Sequence, residues 1–167
     1  MRRTALALFV FTLHTISGQG RALAQDWVSL APDGTTEIRL TRPGQKEARV
    51  RMTTVRVPAA DHLFPVGDSF VGLSEVSLVR DLKILVGTDE VFVGRSVFAD
   101  FVSPSRLMLR PQGRDYLLIV GCRDGAEAFT AEISFNSSLV TRRKIFSGLT
   151  PRDPSEDTRY RLTIFGQ

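Results

Sequence analysis

The chain has 167 residues, 43% hydrophobic and 24% charged, with 22 Lys and Arg against 18 Asp and Glu and a formal net charge of +4. That is ordinary globular composition with enough length for one domain, and it excludes a disordered, collagenous or coiled-coil chain.

Residues 1–24 read as a cleaved export signal. Arg2 and Arg3 form a basic head, Ala5 to Ile16 is mostly apolar, and Ala22-Leu23-Ala24 has the small-x-small form that a signal peptidase recognises. The apolar run breaks at Ser17-Gly18-Gln19-Gly20-Arg21, short of the about 20 residues a spanning helix needs, so no membrane span is expected after removal. The residues after Arg2-Arg3 do not extend a twin-arginine pattern, and no cysteine follows the run to carry a lipid.

Removal takes three arginines and no acid, leaving 19 basic and 18 acidic residues where the whole chain has 22 and 18. So even a balance argues against nucleic acid as a partner, which calls for a strongly basic domain or stripe. Cys122 is the single cysteine, so the mature chain in residues 25–167 has no internal disulfide and relies on its core. A short signal without disulfides points to a bacterial envelope, periplasmic or extracellular, where the sequon Asn136-Ser137-Ser138 has no expected role.

Along the mature chain the apolar period is two, which predicts strands at Thr36–Thr41, Ala48–Val57, Val76–Val79 and Leu82–Val86. In Ala48–Val57 the phase slips between Val50 and Met52 on one parity and Val55 and Val57 on the other, predicting a bulge near Thr53-Thr54. Pro58–Gly72 reads as a long loop. In Arg95–Val102 the spacing of Val97, Phe98, Phe101 and Val102 is helical, so one short helix is expected near 95–103, with Ser96 as N-cap and Ser103 before Pro104 as its end.

Strands follow at Leu107–Arg110, Tyr116–Val120, Phe129–Phe135, Leu139–Phe146 and Tyr160–Phe165, with Pro151–Ser155 as a loop. Asp124-Gly125 predicts a two-residue hairpin turn, a register that sets Val120 against Phe129, Leu118 against Ala131, Tyr116 against Ile133 and Cys122 against Glu127. The sum is a single all-β, mainly antiparallel domain over 25–167, a sandwich or barrel-like fold with one short helix.

Catalytic chemistry finds little support. His62 is the sole mature histidine, so Asp61, His62 and Asp68 make a poor metal set and no metal or cofactor is expected. Gly67-Asp68-Ser69-Phe70 lacks the later Asp-x-x-His that a Gly-Asp-Ser hydrolase needs for its base. Cys122 on an apolar strand reads as a small buried filler. The acid pairs Asp89-Glu90, Asp124 with Glu127, and Glu156-Asp157 all fall in or beside turns.

The most suggestive surface feature is basic. Arg142 and Arg143 lie in one predicted strand and Arg159 and Arg161 in another, and side by side these strands would offer planar guanidinium forks to an anionic partner. The expectation is an exported, non-enzymatic binding module, of inhibitor or immunity type, recognising an envelope protein or anionic polymer. The alternatives are a small envelope-polymer hydrolase using a carboxylate pair and a barrel carrying a small apolar ligand.

Overall fold

The structure, a computed structural model, describes residues 26–59, 74–123 and 128–161. Its strands are β1 (Val28–Ser29), β2 (Gly34–Leu40), β3 (Ala48–Pro58), β4 (Glu75–Val86), β5 (Asp89–Glu90), β6 (Pro104–Gln112), β7 (Asp115–Cys122), β8 (Phe129–Phe135), β9 (Val140–Ser147) and β10 (Pro154–Arg159). They pair antiparallel into a larger sheet ordered β1-β6-β7-β8-β9-β10 and a smaller one ordered β2-β3-β4-β5. Both sheets keep open edges among the described residues, so the all-β fold is a sandwich of two layers and not a closed barrel.

Alternation decides the core. Ile38, Val50, Met52 and Ile84 of the smaller sheet meet Leu118, Val120, Ile133 and Phe135 of the larger, each at most 2% exposed. A side chain of this size contributes about 1.5–3 kcal/mol on full burial. Tyr116 stacks on Phe135 with ring centroids 5.4 Å apart, and its hydroxyl donates to the Lys46 carbonyl at 2.6 Å, tying the two sheets at one end.

The predicted hairpin forms with a shifted register. Cys122 faces Phe129, Val120 faces Ala131, Leu118 faces Ile133 and Tyr116 faces Phe135, two residues away from the expected pairing. A shift of two leaves every side chain on its expected face, because the side-chain period is also two. The Asp124-Gly125 turn itself, like the export signal and most of Pro58–Gly72, lies outside the described residues.

Other elements depart further from expectation. Val76–Val79 and Leu82–Val86 are one strand, and the irregularity opposite Thr53-Thr54 is an extra residue in that strand: Thr53 pairs with Asp81 and Thr54 with Val79, leaving Arg80 between. β3 therefore runs straight, burying Ala48, Val50, Met52 and Thr54, while Val55 and Val57 stay half-exposed on its other side.

The expected helix is a single 3-10 turn at Arg95–Val97, capped by Gly94 and not Ser96; Ala99 N–H then closes one α-type bond to the Arg95 carbonyl. Its apolar residues Val97, Phe98 and Phe101 plug the space between the sheets, so their helical spacing reflects burial from a compact turn. The last described strand is Pro154–Arg159, which takes in the end of the expected Pro151–Ser155 loop; of the predicted strand Tyr160–Phe165 only Tyr160 and Arg161 are described, and neither is in a strand. This polar edge strand has no apolar alternation to reveal it, and its leading proline is tolerated because edge strands need not donate on both sides. Residues 162–165 lie outside the described part.

Candidate functional site

The strands carrying the four predicted arginines are neighbours, with Arg159 directly opposite Arg142. Their side chains nevertheless part. Arg142 points outward and grips Asp157 with two nitrogens, Nε bonding Oδ1 at 2.6 Å. That guanidinium holds the Asp157 carboxyl below its ordinary range. Arg143 points inward, is 4% exposed, and binds both oxygens of Glu156 at 2.7 Å and the carboxylate of Asp100, above the face of Phe101. It thereby fastens β9, β10 and the turn after Arg95–Val97 together, and it is closed to an outside partner. Arg159 and Arg161 are exposed.

Of the four described residues of the predicted acid pairs, Asp89, Glu156 and Asp157 are engaged in the same way. Glu156 and Asp157 face opposite sides of β10, each held by its arginine. Asp89 binds Lys46 at 2.6 Å, which lowers its pKa; Glu37 is lowered by Arg39 and Arg51, and Glu47 by Arg49 and Thr41. A general acid working at neutral pH needs the opposite shift. Asp124, Glu127, Asp61, His62, Asp68 and the Gly67–Phe70 block lie outside the described residues. Cys122 is buried, and desolvation pushes its thiol far above the usual range, with the nearby Asp100 charge adding to the shift. Asn136 accepts bonds from the backbone N–H groups of Ser138 and Leu139 at 2.8 and 3.0 Å, so this side chain shapes the β8–β9 turn.

A different group of residues forms an open site. Where β6 begins, Pro104 pairs with Cys122 and Arg106 with Gly121, so Ser105 is an extra, bulged residue. Bulges re-aim the side chains beside them. Ser105 spends its backbone carbonyl on Leu30 N–H at 2.9 Å and its hydroxyl on the Gly121 carbonyl at 3.2 Å. Arg106 then lies across β7: a Cβ at Gly121 would come within 2.9 Å of its Cγ and Nε, so a larger residue there would make this side chain shift. Pairing of Ser29 with Arg106 brings Trp27 alongside, and the guanidinium carbon rests 4.3 Å from the indole centroid.

Arg106 forms no ion pair or side-chain hydrogen bond among the described residues. It borders a cleft of about 310 Å³ together with Ser105, Arg123, Phe129, Thr130 and Gly148. Arg123 lies over the Phe129 ring at 5.8 Å. The backbone at this end is also strained: Ser103 (φ 48) and Arg123 (φ 58) are the non-glycine residues with positive φ among those described, and Arg123 N–H donates to the Ser103 carbonyl at 2.9 Å. Such conformations cost of order 1 kcal/mol each and gather at binding sites.

Two further clefts of about 380 Å³ have a different character: Lys46 in one is held by Asp89, and Arg56 in the other lies 3.7 Å from Glu75. Strand register also places Arg106, Arg110, Arg142, Lys144 and Arg159 on one outer face of the larger sheet, against the acids Asp115, Glu132 and Asp157 among the described residues. No described helix is long and apolar enough to cross a membrane. The sequence reading missed Arg106 because it ranked cations by clustering; the bulge and the glycine opposite, which set its exposure, are properties of strand pairing. Comparison of the chain with known protein families, with characterised proteins and with solved structures finds no match.

Proposed function

We propose that this chain is an exported, non-enzymatic binding module of the bacterial envelope, which recognises an anionic partner on the outer face of its larger sheet. One observation carries the reading: Arg106 lies across Gly121 and against the Trp27 indole, pairs with no carboxylate among the described residues, and borders a cleft. An arginine prepared in this way loses little freedom on binding and offers two parallel N–H donors to a carboxylate or phosphate. The surplus of cations along the same face supplies long-range attraction. Export rests on the layout of residues 1–24, with the basic head, apolar run and Ala22-Leu23-Ala24.

The test is affinity capture from a periplasmic and cell-wall extract with residues 25–167 as bait, at low and high salt. A partner retained at low salt should be lost with Arg106→Ala and at high salt, yet kept with Arg161→Ala, which lies off the cleft. Equal capture by the Arg106→Ala bait would end the proposal.

A further inference from the structure

The two sheets end in four edge strands, and three of these are blunted. β1 and β5 have two residues each, while β10 opens on Pro154 and is bulged at Ser155, so none offers a long regular ladder. β2 is different. Its seven residues, Gly34–Leu40, pair with β3 without a register shift, include no proline and turn no charge toward the core. Among the described residues no strand or backbone group pairs with its other side. An edge in that condition presents unpaired N–H and C=O groups and is a template for one more strand.

The side chains of β2 specify which strand fits. Ile38 and Leu40 are buried toward the core, and Glu37 and Arg39 lie on the outer face. Opposite residues of an antiparallel pair share a face, so β2 meeting a second copy of itself about a twofold axis must be centred on a residue. Centred on Glu37, the pairing sets carboxylate against carboxylate; centred on Arg39, it sets guanidinium against guanidinium. Centred on Ile38, it sets Glu37 against the partner's Arg39 and Arg39 against the partner's Glu37, with Thr36 opposite the partner's Leu40 on the inner face. Opposite charges favour such directly facing positions and like charges oppose them. Within one copy Arg39 turns along its own strand to Glu37 at 2.6 Å, and Arg51 reaches the same carboxylate at 3.0 Å. Across the axis Arg39 meets the partner's Glu37, while Arg51 keeps the carboxylate it has. Arg49 stands one strand further in, held by Glu47 at 3.1 Å.

We infer that this chain forms a homodimer in which β2 pairs antiparallel with β2 of a second copy, centred on Ile38, so that two four-stranded sheets become one continuous sheet. The cleft beside Arg106 is on the larger sheet, so the dimer stands or falls independently of the anionic-partner reading.

Sedimentation velocity on residues 25–167 at low salt, from about 1 µM to about 500 µM, should show a reversible monomer–dimer equilibrium, the range suited to a small strand-to-strand interface. Arg39→Glu sets two carboxylates face to face, twice by symmetry, and should weaken the dimer roughly tenfold or more. Glu37→Lys should do the same by opposing cations. An equimolar mixture of the two variants sets both cations of one chain against both acids of the other, and should recover association as a heterodimer. Lys83→Glu changes a charge on β4, away from the edge, and should leave the dimer as it was. Circular dichroism checks the fold of each variant; should Glu37→Lys unfold, the more exposed Arg39→Glu decides the matter alone.

A parent chain that stays monomeric through this range overturns the inference. So does a dimer that Arg39→Glu leaves intact, or a mixture of the two folded variants that does not associate.

Discussion

Arg143 and Arg106 are both arginines on strands of the same sheet, and they do opposite work. Arg143 faces the core, where a guanidinium is admitted only with partners, and Glu156 and Asp100 supply them. A charge in that position serves the fold, joining an edge strand to the turn after Arg95–Val97. Arg106 faces outward, rests against an indole over a glycine, and pairs with no carboxylate among the described residues. The lesson is that availability for a partner depends on what each arginine already holds. Arg142 falls between the two, half-buried and closed on Asp157.

The largest effect that would break this contrast is expected at Arg143. Arg143→Ala leaves a cavity and parts two strands from the turn, and should lower stability by about 2–3 kcal/mol, near the bottom of the range for broken buried pairs because Glu156 and Asp100 keep contact with water. Urea unfolding measures it, and a loss no larger than that of a surface substitution would show that the clamp is dispensable.

Gly121→Ala is expected to come next. The added methyl must displace Arg106, since the nearest atoms would stand 2.9 Å away, at a stability cost of about 1 kcal/mol. The more telling readout is Trp27 emission, which should change as the guanidinium leaves the indole. An unaltered spectrum would mean that Gly121 does not set the position of Arg106.

Arg106→Ala should alter stability by less, about 0.5–1 kcal/mol, the size of an exposed cation–π contact. It should nevertheless abolish anionic binding. A chevron or equilibrium melt that places this variant level with Arg143→Ala would collapse the distinction between a structural and a recognition arginine.

The smallest effect belongs to Asp157→Asn, expected at neutral pH to move the urea midpoint no more than an ordinary surface substitution does, because solvent screens the pair. Its signature lies in acid. Arg142 holds the folded pKa of Asp157 below the ordinary 3.8, so the pair's contribution is complete above that value and disappears as pH falls through the folded pKa. The same sign applies to Asp89 beside Lys46 and to Glu37 beside Arg39 and Arg51. Stability of the parent should therefore decline below about pH 4, and the Asp157→Asn variant should decline less steeply over that window.

Much of this architecture was legible from residue order. Phe129–Phe135 is a strand with the predicted bounds, because strict alternation of apolar and polar side chains admits one buried face. The all-β class, the two-faced burial of Tyr116–Val120 and the core role of Cys122 follow from local composition in the same way. What stayed hidden was whatever depends on a partner strand. The polar sequence of β10 has no apolar rhythm, so only its pairing with β9 identifies it as a strand. The helical spacing at Val97 to Val102 was misleading because a compact turn packed between two sheets buries the same positions as a helix.

The sequence by itself therefore determined the class of fold, the faces of its strands and the near balance of charge, since these depend on composition and on a period of two. Tertiary structure decided which arginine is sealed and which is presented. That choice turns on a bulge at Ser105, a glycine opposite Arg106 and a tryptophan just before β1, contacts between residues far apart in the chain. Local propensity does not encode such contacts; they exist only once the strands have paired.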